Sequence, residues 1–248
     1  MSGLLLVTGG SRGIGAAIAI GAAKCGFDVC LTYRTDKRSA NKIVDQISVG
    51  GGIAFAVQAD AASEADTLKV FEQIDARGIP LTALVNNAGV VDVATPLKDM
   101  SVDRIERMMG TNVIGPMIYA REAINRMSTE AGGKGGSIVN ISSMAANGGR
   151  PNQYIDYAAS KAAIDALTKG LALEVVAGGI RVNGVRPGLV DTDIHASGGQ
   201  PDRAHRLADT IPMKRPGTAQ EIADCVLFLI SNEASYVTGA ILDVSGGR

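Results

Sequence analysis

The sequence predicts an α/β fold, with one doubly wound parallel sheet of about seven strands and helices on both faces. Short apolar runs alternate along the chain with longer segments whose apolar residues recur at helical spacing. Such alternation builds βαβ units, and their right-handed crossovers cover both faces of a parallel sheet. No Pro/Ser-rich linker or composition shift divides residues 1–248, so we expect a single domain.

The elements can be placed from these patterns. The predicted strands are residues 4–8, 28–33, 53–58, 83–86, 137–142, 180–186 and 240–244. The predicted helices are residues 14–25, 37–48, 64–77, 102–127, 157–176 and 219–230. Residues 191–216 carry glycines and prolines without a strand pattern, and they follow the sixth predicted strand. Because a doubly wound sheet binds ligands at that edge, we expect a lid over a substrate, with His195 either exposed or in contact with it.

The composition is that of a globular protein and excludes several classes of function. With 46% hydrophobic residues, 20% charged residues and a formal net charge of -1, no basic surface for nucleic acid is indicated. Three cysteines and two histidines without a Cys-x-x-Cys motif predict free thiols in a reducing compartment and no metal site. The first apolar run is too short for a signal peptide or a membrane span, so we expect a cytoplasmic protein.

The first predicted strand runs into a glycine-rich turn, Thr8-Gly9-Gly10-Ser11-Arg12-Gly13-Ile14-Gly15, and a helix of small residues follows. Glycine lets the backbone approach a pyrophosphate closely, and the helix N-terminus supplies free N–H groups and a positive dipole. A strand before the turn and a helix after it give the context that a Rossmann-type dinucleotide site requires. The predicted cofactor contacts here are Gly9, Ser11, Arg12, Gly13, Ile14 and Gly15.

The residues after the second predicted strand bear on the choice of dinucleotide. Arg34 is the first residue beyond that strand, and Arg12 in the glycine turn adds a second cation. An arginine here accommodates a 2′-phosphate, whereas an acidic residue takes the ribose 2′-hydroxyl. The pattern favours NADP, while Asp36 keeps NAD open as the alternative. Lys37 and Arg38 fit a solvated helix start equally well.

Tyr157 and Lys161 lie four residues apart in a predicted helix, which places a phenol and an ammonium on one helix face. A free phenol has a pKa of about 10, and a cation beside it lowers that pKa toward the working range of an acid or base. The pair is the first candidate for chemistry, although surface helices also carry Tyr and Lys at this spacing by chance.

Further motifs occur in order along the chain. They are Thr8-Gly9-x-x-x-Gly13-Ile14-Gly15, Asp60, Asn86-Asn87-Ala88-Gly89, Asn112, Ser142-Ser143, Tyr157-x-x-x-Lys161, Arg181-Val182-Asn183 and Pro187-Gly188. Together they resemble the short-chain dehydrogenase/reductase family nearly end to end. The branches that look most similar are the glucose or ribitol dehydrogenase-like reductases and the 3-ketoacyl carrier-protein reductases.

This resemblance implies a catalytic set. Tyr157 would be the general acid in carbonyl reduction and the base in the reverse direction. Lys161 would hold the nicotinamide ribose and lower the pKa of Tyr157. Ser143 would hydrogen-bond the substrate oxygen, and Asn112 would anchor a water that relays protons between Lys161 and solvent.

The resemblance also implies cofactor contacts beyond the glycine turn. Asp60 would bind the adenine amino group, with Ala61 beside it. The remaining contacts are Asn87, Ala88 and Gly89 at the adenosine ribose, and Pro187, Gly188, Val190 and Thr192 at the nicotinamide carboxamide.

Some residues keep a second interpretation. Ser142 and Ser143 could simply end a strand, Asn112 could satisfy backbone groups inside a helix, and Tyr154 could line the substrate pocket. From Ser143 to Tyr157 is 14 positions, one more than in many family members, and the extra residue falls in the loop 147–153. Loops absorb insertions, so the serine assignment stands, whereas the pocket wall and the substrate are left open.

We therefore predict an NADP-dependent oxidoreductase that interconverts a secondary alcohol and a carbonyl on a small substrate. A sugar, polyol or other small polar carbonyl compound is the first choice of substrate, and a 3-ketoacyl thioester is the second. An NAD-preferring dehydrogenase and a non-catalytic dinucleotide-binding sensor are further alternatives. The intact set Ser143, Tyr157 and Lys161 argues against the sensor. The resemblance also implies a homotetramer.

Overall fold

The computed structural model describes residues 3–248, except for the side chain of His195. Its strands are β1 (Leu4–Val7), β2 (Asp28–Tyr33), β3 (Ala54–Gln58), β4 (Leu81–Asn86), β5 (Gly136–Ile141), β6 (Ile180–Pro187) and β7 (Ile241–Val244). They form one parallel sheet in the order β3-β2-β1-β4-β5-β6-β7. The predicted sheet is confirmed over the described part of the chain. The strand order reverses between β1 and β4, which creates a crevice at the carboxyl ends of these two strands.

Helices cover both faces of the sheet. They are α1 (Gly13–Lys24), α2 (Lys37–Val49), α3 (Glu64–Asp75), α4 (Val102–Met109), α5 (Gly115–Met127), α6 (Ala145–Gly148), α7 (Ile155–Val175), α8 (Ile194–Ser197), α9 (Arg203–Arg206) and α10 (Ala219–Ile230). Helices α1, α2 and α10 pack in the hydrophobic cluster on one face, and α3, α5 and α7 pack in the cluster on the other. Within the described residues, none of the helices combines the length and apolarity needed to cross a bilayer.

The central strand β1 shows why the sequence forms this sheet. Its four residues are 0% exposed. Leu4 and Leu6 point into one hydrophobic cluster, and Leu5 and Val7 point into the other. Side chains alternate between the faces of a strand, so a strand covered on both sides must be apolar at every position.

The structure corrects the prediction of one long helix over residues 102–127. Helices α4 and α5 are joined by a π-helical turn at Gly110–Ile114. At Gly115 an added Cβ would lie 2.3 Å from the carbonyl oxygen of Ala61, so this backbone packs directly on the loop after β3. A π turn carries one residue more than an α turn and is frequent at functional sites. The helical periodicity continues on both sides of it, which hides it from the sequence.

The segment predicted as a lid, residues 191–216, contains the short helices α8 and α9. A parallel bridge between Val190 and Gly217 joins its two ends. The backbone N–H of Asp191 donates to the Gly217 carbonyl at 2.9 Å, and that of Gly217 donates to Leu189 at 2.9 Å. The segment therefore leaves the body of the protein and returns to it at one place, beside the end of β6.

A buried ion pair fixes the start of α7. Arg104 on α4 donates from Nε to Asp156 Oδ2 at 2.8 Å and from Nη2 to Asp156 Oδ1 at 3.2 Å. Both residues are buried, at 7% and 6% exposure. Arg104 also donates to the Val93 carbonyl at 2.6 Å and to Thr95 Oγ1 at 2.9 Å. The pair thus joins α4, the loop after β4 and the first turn of α7.

Replacing Asp156 with Ala should lower the free energy of unfolding by about 3–5 kcal/mol, because it leaves the Arg104 charge buried and unpaired. Urea unfolding followed by circular dichroism measures this change. The control is Glu64→Gln, which breaks an exposed pair with Arg121 at 2.7 Å and should change stability little. An Asp156→Ala protein as stable as the control would show that the pair does not hold α7 in place.

Candidate active site

The predicted site residues collect at the carboxyl ends of the strands. They line a groove of about 430 Å³ beside the glycine turn and a cavity of about 160 Å³ beside Tyr157. The walls of both spaces include Ile14, Asn87, Gly89, Val91, Thr192 and Ile194. The groove and the cavity are therefore adjoining parts of one cleft.

Every predicted site residue except Asn112 lines this cleft. The groove is lined by Gly9, Ser11, Arg12, Gly13, Ile14, Gly15, Arg34, Asp60, Ala61, Asn87, Ala88, Gly89 and Thr192. The cavity is lined by Ser143, Tyr157, Lys161, Pro187, Gly188, Val190 and Thr192. Asn112 lies behind the cleft wall, with its Oδ1 3.4 Å from where a Cβ on Gly89 would be.

The glycine turn is held in place by the loop after β4. The Thr8 hydroxyl oxygen accepts hydrogen bonds from the backbone N–H groups of Asn87 at 3.0 Å and Ala88 at 2.9 Å. In return, Asn87 Nδ2 donates to the carbonyls of Thr8 at 2.9 Å and Gly9 at 3.0 Å. These contacts give Asn87 a positioning role that the sequence analysis did not foresee.

The end of α1 that faces the groove is suited to an anion. No described side chain caps α1, and its first turn contains no acidic residue. In contrast, Asp36, Ser63 and Thr218 cap α2, α3 and α10. At Gly15 an added Cβ would lie 2.3 Å from the Gly9 carbonyl oxygen, so any larger residue would clash with the glycine turn. Free N–H groups and the helix dipole favour a phosphate at this point.

Beyond the glycine turn, the groove contains arginines and carboxylates, and two of the carboxylates already have partners in the protein. Arg34 and Arg12 line it, and Arg34 Nε lies 3.8 Å from Asp60 Oδ2. The Asp36 side chain accepts from the backbone N–H of Ser39 at 2.9 Å and from its hydroxyl at 2.6 Å. Hydrogen bonds from Ser39 lower the pKa of Asp36. Asp36 therefore serves as the cap of α2, which weakens the case for it as a ribose ligand.

Tyr157 and Ser143 meet in the cavity. Tyr157 lies in the first turns of α7 and is partly exposed, and Ser143 follows β5. Both side chains line the cavity, and the Ser143 hydroxyl acts to lower the pKa of Tyr157. The Ser143 hydroxyl also accepts from the backbone N–H of Ala145 at 3.1 Å, which orients it at the start of α6. A phenol and a hydroxyl are thereby held on one wall of the cavity.

Lys161 lies one helical turn after Tyr157, with its Nζ 5.7 Å from the centre of the Tyr157 ring. The ammonium donates to the Ile141 carbonyl at 2.8 Å, and the residue is 5% exposed. Burial lowers the pKa of Lys161 to about 8, and the charge of Asp165 opposes that shift.

The pKa of Tyr157 is raised in this structure, whereas a pairing with Lys161 predicts a lowered one. Burial raises the pKa of Tyr157, because the low-dielectric surroundings disfavour the phenolate. The hydrogen bond with Ser143 and the charge of Arg150 oppose that rise only in part. Arg150, which the sequence did not indicate, is thus the cation whose charge lowers the pKa of Tyr157.

Asn112 lies in the π turn between α4 and α5 and joins three segments. Its Oδ1 accepts from the backbone N–H of Val90 at 2.8 Å, and its Nδ2 donates to the Val90 carbonyl at 2.9 Å. The same Nδ2 donates to Ser160 Oγ at 3.1 Å. Asn112 thus binds the loop after β4 to α7, the helix that carries Tyr157 and Lys161.

The cavity also contains residues that the sequence analysis missed, namely Met144, Arg150, Leu189, Arg203 and Arg248. The loop with the extra residue, 147–153, supplies one of them, so the insertion was the signal for Arg150. Arg203 and Arg248 come from segments distant along the chain, and only the folded structure brings them here. Tyr154 lines the cavity, as one interpretation of the sequence allowed.

The lid segment contributes to the cavity wall. Ile194, Gly198 and Arg203 line the cavity. Gln200 Nε2 donates to the Tyr154 hydroxyl at 2.9 Å, which fastens the segment to the residues before α7. Whether His195 is exposed or contacts a substrate stays a prediction, because its side chain lies outside the described part of the structure.

Comparison with known proteins places the chain in a family. A family model described as enoyl-(acyl carrier protein) reductase matches residues 9–248. The uncharacterized oxidoreductase YgfF of Escherichia coli is 48% identical over 245 residues, which cover 99% of each chain. A glucose 1-dehydrogenase of Gluconobacter oxydans is 39% identical, over 98% of this chain and 90% of that protein.

A solved structure shows the same fold. A blue fluorescent protein from a metagenomic library, solved in complex with NADPH, superposes with a TM-score of 0.89 and 38% identity. The match covers 99% of this chain and 97% of that chain. The motifs in the sequence resemble those of short-chain dehydrogenases/reductases. The fold, the cleft and the relatives agree with that resemblance. The chain belongs to the short-chain dehydrogenase/reductase family of oxidoreductases.

Proposed function

We propose that this protein is an NADP-dependent oxidoreductase that interconverts a secondary alcohol and a carbonyl on a small substrate, with residues 1–248 acting as one catalytic domain. The observation that carries the proposal is the cleft itself. Tyr157, Ser143 and Lys161 line a cavity of about 160 Å³ that adjoins the groove beside the glycine turn. One end of the cleft can hold a dinucleotide while the other presents a proton donor.

The residues of the groove fit NADP. The uncapped N-terminus of α1 suits a pyrophosphate, and Gly15 lets the helix start pack closely on the glycine turn. Arg34 and Arg12 suit a 2′-phosphate, and Asp36 is engaged in capping α2. The NADPH bound by the blue fluorescent protein supports the same choice of cofactor. Pro187, Gly188, Val190 and Thr192 would contact the nicotinamide end, where bound NADPH supplies the hydride.

The side chains of the cavity supply the proton. The Tyr157 phenol is protonated at neutral pH, as a general acid in carbonyl reduction must be, although its raised pKa makes the proton harder to transfer. Ser143 would donate its hydroxyl proton to the substrate oxygen as negative charge develops there. Alcohol oxidation requires the phenolate as base, so it should accelerate as the pH rises. Lys161 remains the proposed contact of the nicotinamide ribose.

Asn112 remains the proposed anchor of a proton-relay water, and its contacts with the Val90 backbone support a second, positioning role. Its side chain fixes the loop at Val90 and contacts Ser160 in the turn of α7 next to Lys161. It would therefore position Lys161 relative to Gly89, whose added Cβ would lie 3.5 Å from Lys161 Nζ.

A 3-ketoacyl thioester reductase is the second candidate. The description of the matching family model concerns carrier-protein substrates, which supports this class. The cavity of about 160 Å³ favours a smaller substrate. For reference, a cavity of about 150 Å³ holds a molecule of the size of benzene.

Tyr157→Phe should lower kcat for NADPH-dependent reduction of a small diketone by about 10²- to 10⁴-fold, because the general acid is lost. Tyr154→Phe removes a phenol from the same cavity and should lose far less. Steady-state kinetics on both variants, with melting temperatures to confirm folding, measures the difference. Wild-type kcat in Tyr157→Phe would mean that another group is the acid.

Arg34→Ala should raise KM for NADPH by about 10- to 100-fold and leave KM for NADH nearly unchanged, since a charge-assisted hydrogen bond contributes about 1.5–3 kcal/mol. The matched control is Arg38→Ala, an exposed arginine nearby that does not line the groove. Equal losses for both cofactors would contradict a 2′-phosphate contact at Arg34.

We also propose that the chain is a cytoplasmic homotetramer. Val102, Met117 and Leu173 on α4, α5 and α7 expose 67%, 44% and 81% of their surface, as apolar residues of a subunit contact would in one chain alone. Cys25, Cys30 and Cys225 are free thiols, which fits a reducing compartment. Light scattering should give the mass of a tetramer, and a monomer mass would contradict the assembly. Cell fractionation tests the location.

A further inference from the structure

Three arginines that the proposed hydride transfer does not use line the cavity beside Tyr157. Arg150 lies in the loop between α6 and α7, Arg203 lies in α9 of the lid segment, and Arg248 follows β7. No Asp or Glu of the described residues lines this cavity. Its charged lining therefore consists of these arginines and Lys161.

The three guanidinium groups have no carboxylate partner. None of the ion pairs in the described part of the chain includes Arg150, Arg203 or Arg248. Burial lowers the pKa of Arg150, and the charges of Arg248 and Arg203 lower it further. Arg150 is thus repelled by the two other guanidinium groups of the cavity, and an anion bound beside it would relieve that repulsion.

Arg203 is held over the cavity by neutral groups. Its guanidinium lies 5.1 Å from the centre of the Tyr154 ring. It donates to Gln200 Oε1 and to Gln153 Oε1, both at 3.2 Å. Neutral acceptors and an aromatic ring orient the group without cancelling its charge.

Arg150 is held in an unusual backbone conformation. Its φ of +46° lies in the left-handed region that side-chain-bearing residues rarely adopt, and its N–H donates to the Gly148 carbonyl at 2.7 Å. Such strain is found where the surrounding structure fixes a residue for function. The loop is the one that carries the extra residue between Ser143 and Tyr157, and it places Arg150 in the same cavity as the proposed general acid.

The anion that suits these arginines is not a phosphate of the dinucleotide. None of the three belongs to the lining of the groove that holds the glycine turn and Arg34, as far as the structure describes it. They share their cavity instead with Tyr157 and Ser143, where the reacting carbonyl would lie.

We infer that the substrate is a small anionic carbonyl compound, whose carboxylate or phosphate is bound by Arg150 and Arg203 with Arg248 beside them. The inference rests on the proposed function, because it assigns the substrate class of that same site. Guanidinium groups bind carboxylate and phosphate in bidentate geometry, which would orient the carbonyl toward Tyr157. Neutral sugars and polyols would leave the three charges without a counterion.

Pairs of substrates that differ in charge test this inference. The carboxylate pair is acetoacetate and methyl acetoacetate, and the phosphate pair is dihydroxyacetone phosphate and dihydroxyacetone. We expect kcat/KM for NADPH oxidation to be at least about tenfold higher for the charged member of one pair, which also identifies the anion. Equal or higher values for the neutral member of both pairs would overturn the inference.

Butane-2,3-dione, a neutral diketone, separates this inference from the proposed function. Reduction of the dione without any preference for charge would leave the proposed function standing and the inference overturned. If no compound is reduced, the proposed function fails, and calorimetric titration of the same pairs into NADP⁺-loaded protein still decides the inference. Tighter binding of a charged member supports the inference, and equal or absent binding in both pairs overturns it.

Variants test whether Arg150 and Arg203 cause the preference for a charged substrate. Arg150→Gln and Arg203→Gln should each lower the ratio of charged to neutral kcat/KM by about tenfold or more, chiefly through KM, and Arg150→Lys should restore part of it. The control Arg121→Gln removes an exposed charge on α5 that pairs with Glu64 outside the cleft, and it should keep the wild-type ratio. A ratio that Arg150→Gln and Arg203→Gln leave unchanged would show that the arginines do not bind the substrate.

Discussion

The exchange of hydrogen bonds between Thr8 and Asn87 is the contact on which the cleft depends. It joins the turn after β1 to the turn after β4, the two central strands where the strand order reverses. Parallel strands leave their carboxyl-end loops unpaired with each other, so side chains must connect them. The Thr8 hydroxyl and the Asn87 amide do this with four bonds of 2.9–3.0 Å. The groove and the cavity therefore keep a fixed relation, which hydride transfer between two bound molecules requires.

A second set of contacts fixes α7, the helix that supplies Tyr157 and Lys161. The ion pair of Arg104 with Asp156 holds its first turn, and Asn112 holds Ser160 one turn later. Arg104 and Asn112 both lie in the helical segment that follows β4. Tyr157, the proposed general acid, is thus oriented from the same side of the cleft as the loop at Val90, so the same contacts position both.

The sequence predicted the sheet well because each strand is buried on both faces and must be apolar throughout, as Leu4 to Val7 show. It predicted the residues of the cleft because glycine turns and the Tyr157 and Lys161 pair depend on local spacing. Other features depend on contacts between distant segments. The π turn at Gly110–Ile114 and the sign of the Tyr157 pKa shift belong to this class, as does the meeting of Arg150, Arg203 and Arg248. Periodicity and local spacing in a sequence do not indicate which distant segments come into contact.

The π turn has a consequence for the way this chain can change length. A π turn holds one residue more than an α turn, so the α-helices on either side of it keep their buried faces although the segment is longer. Deleting one residue from Gly110–Ile114 would let a regular α-helix form and would remove the turn that places Asn112 against Val90 and Ser160. The loop 147–153 and the lid segment can gain or lose residues and reshape the cavity wall. A change of length in the helical segment behind the cleft would instead disturb the support of α7.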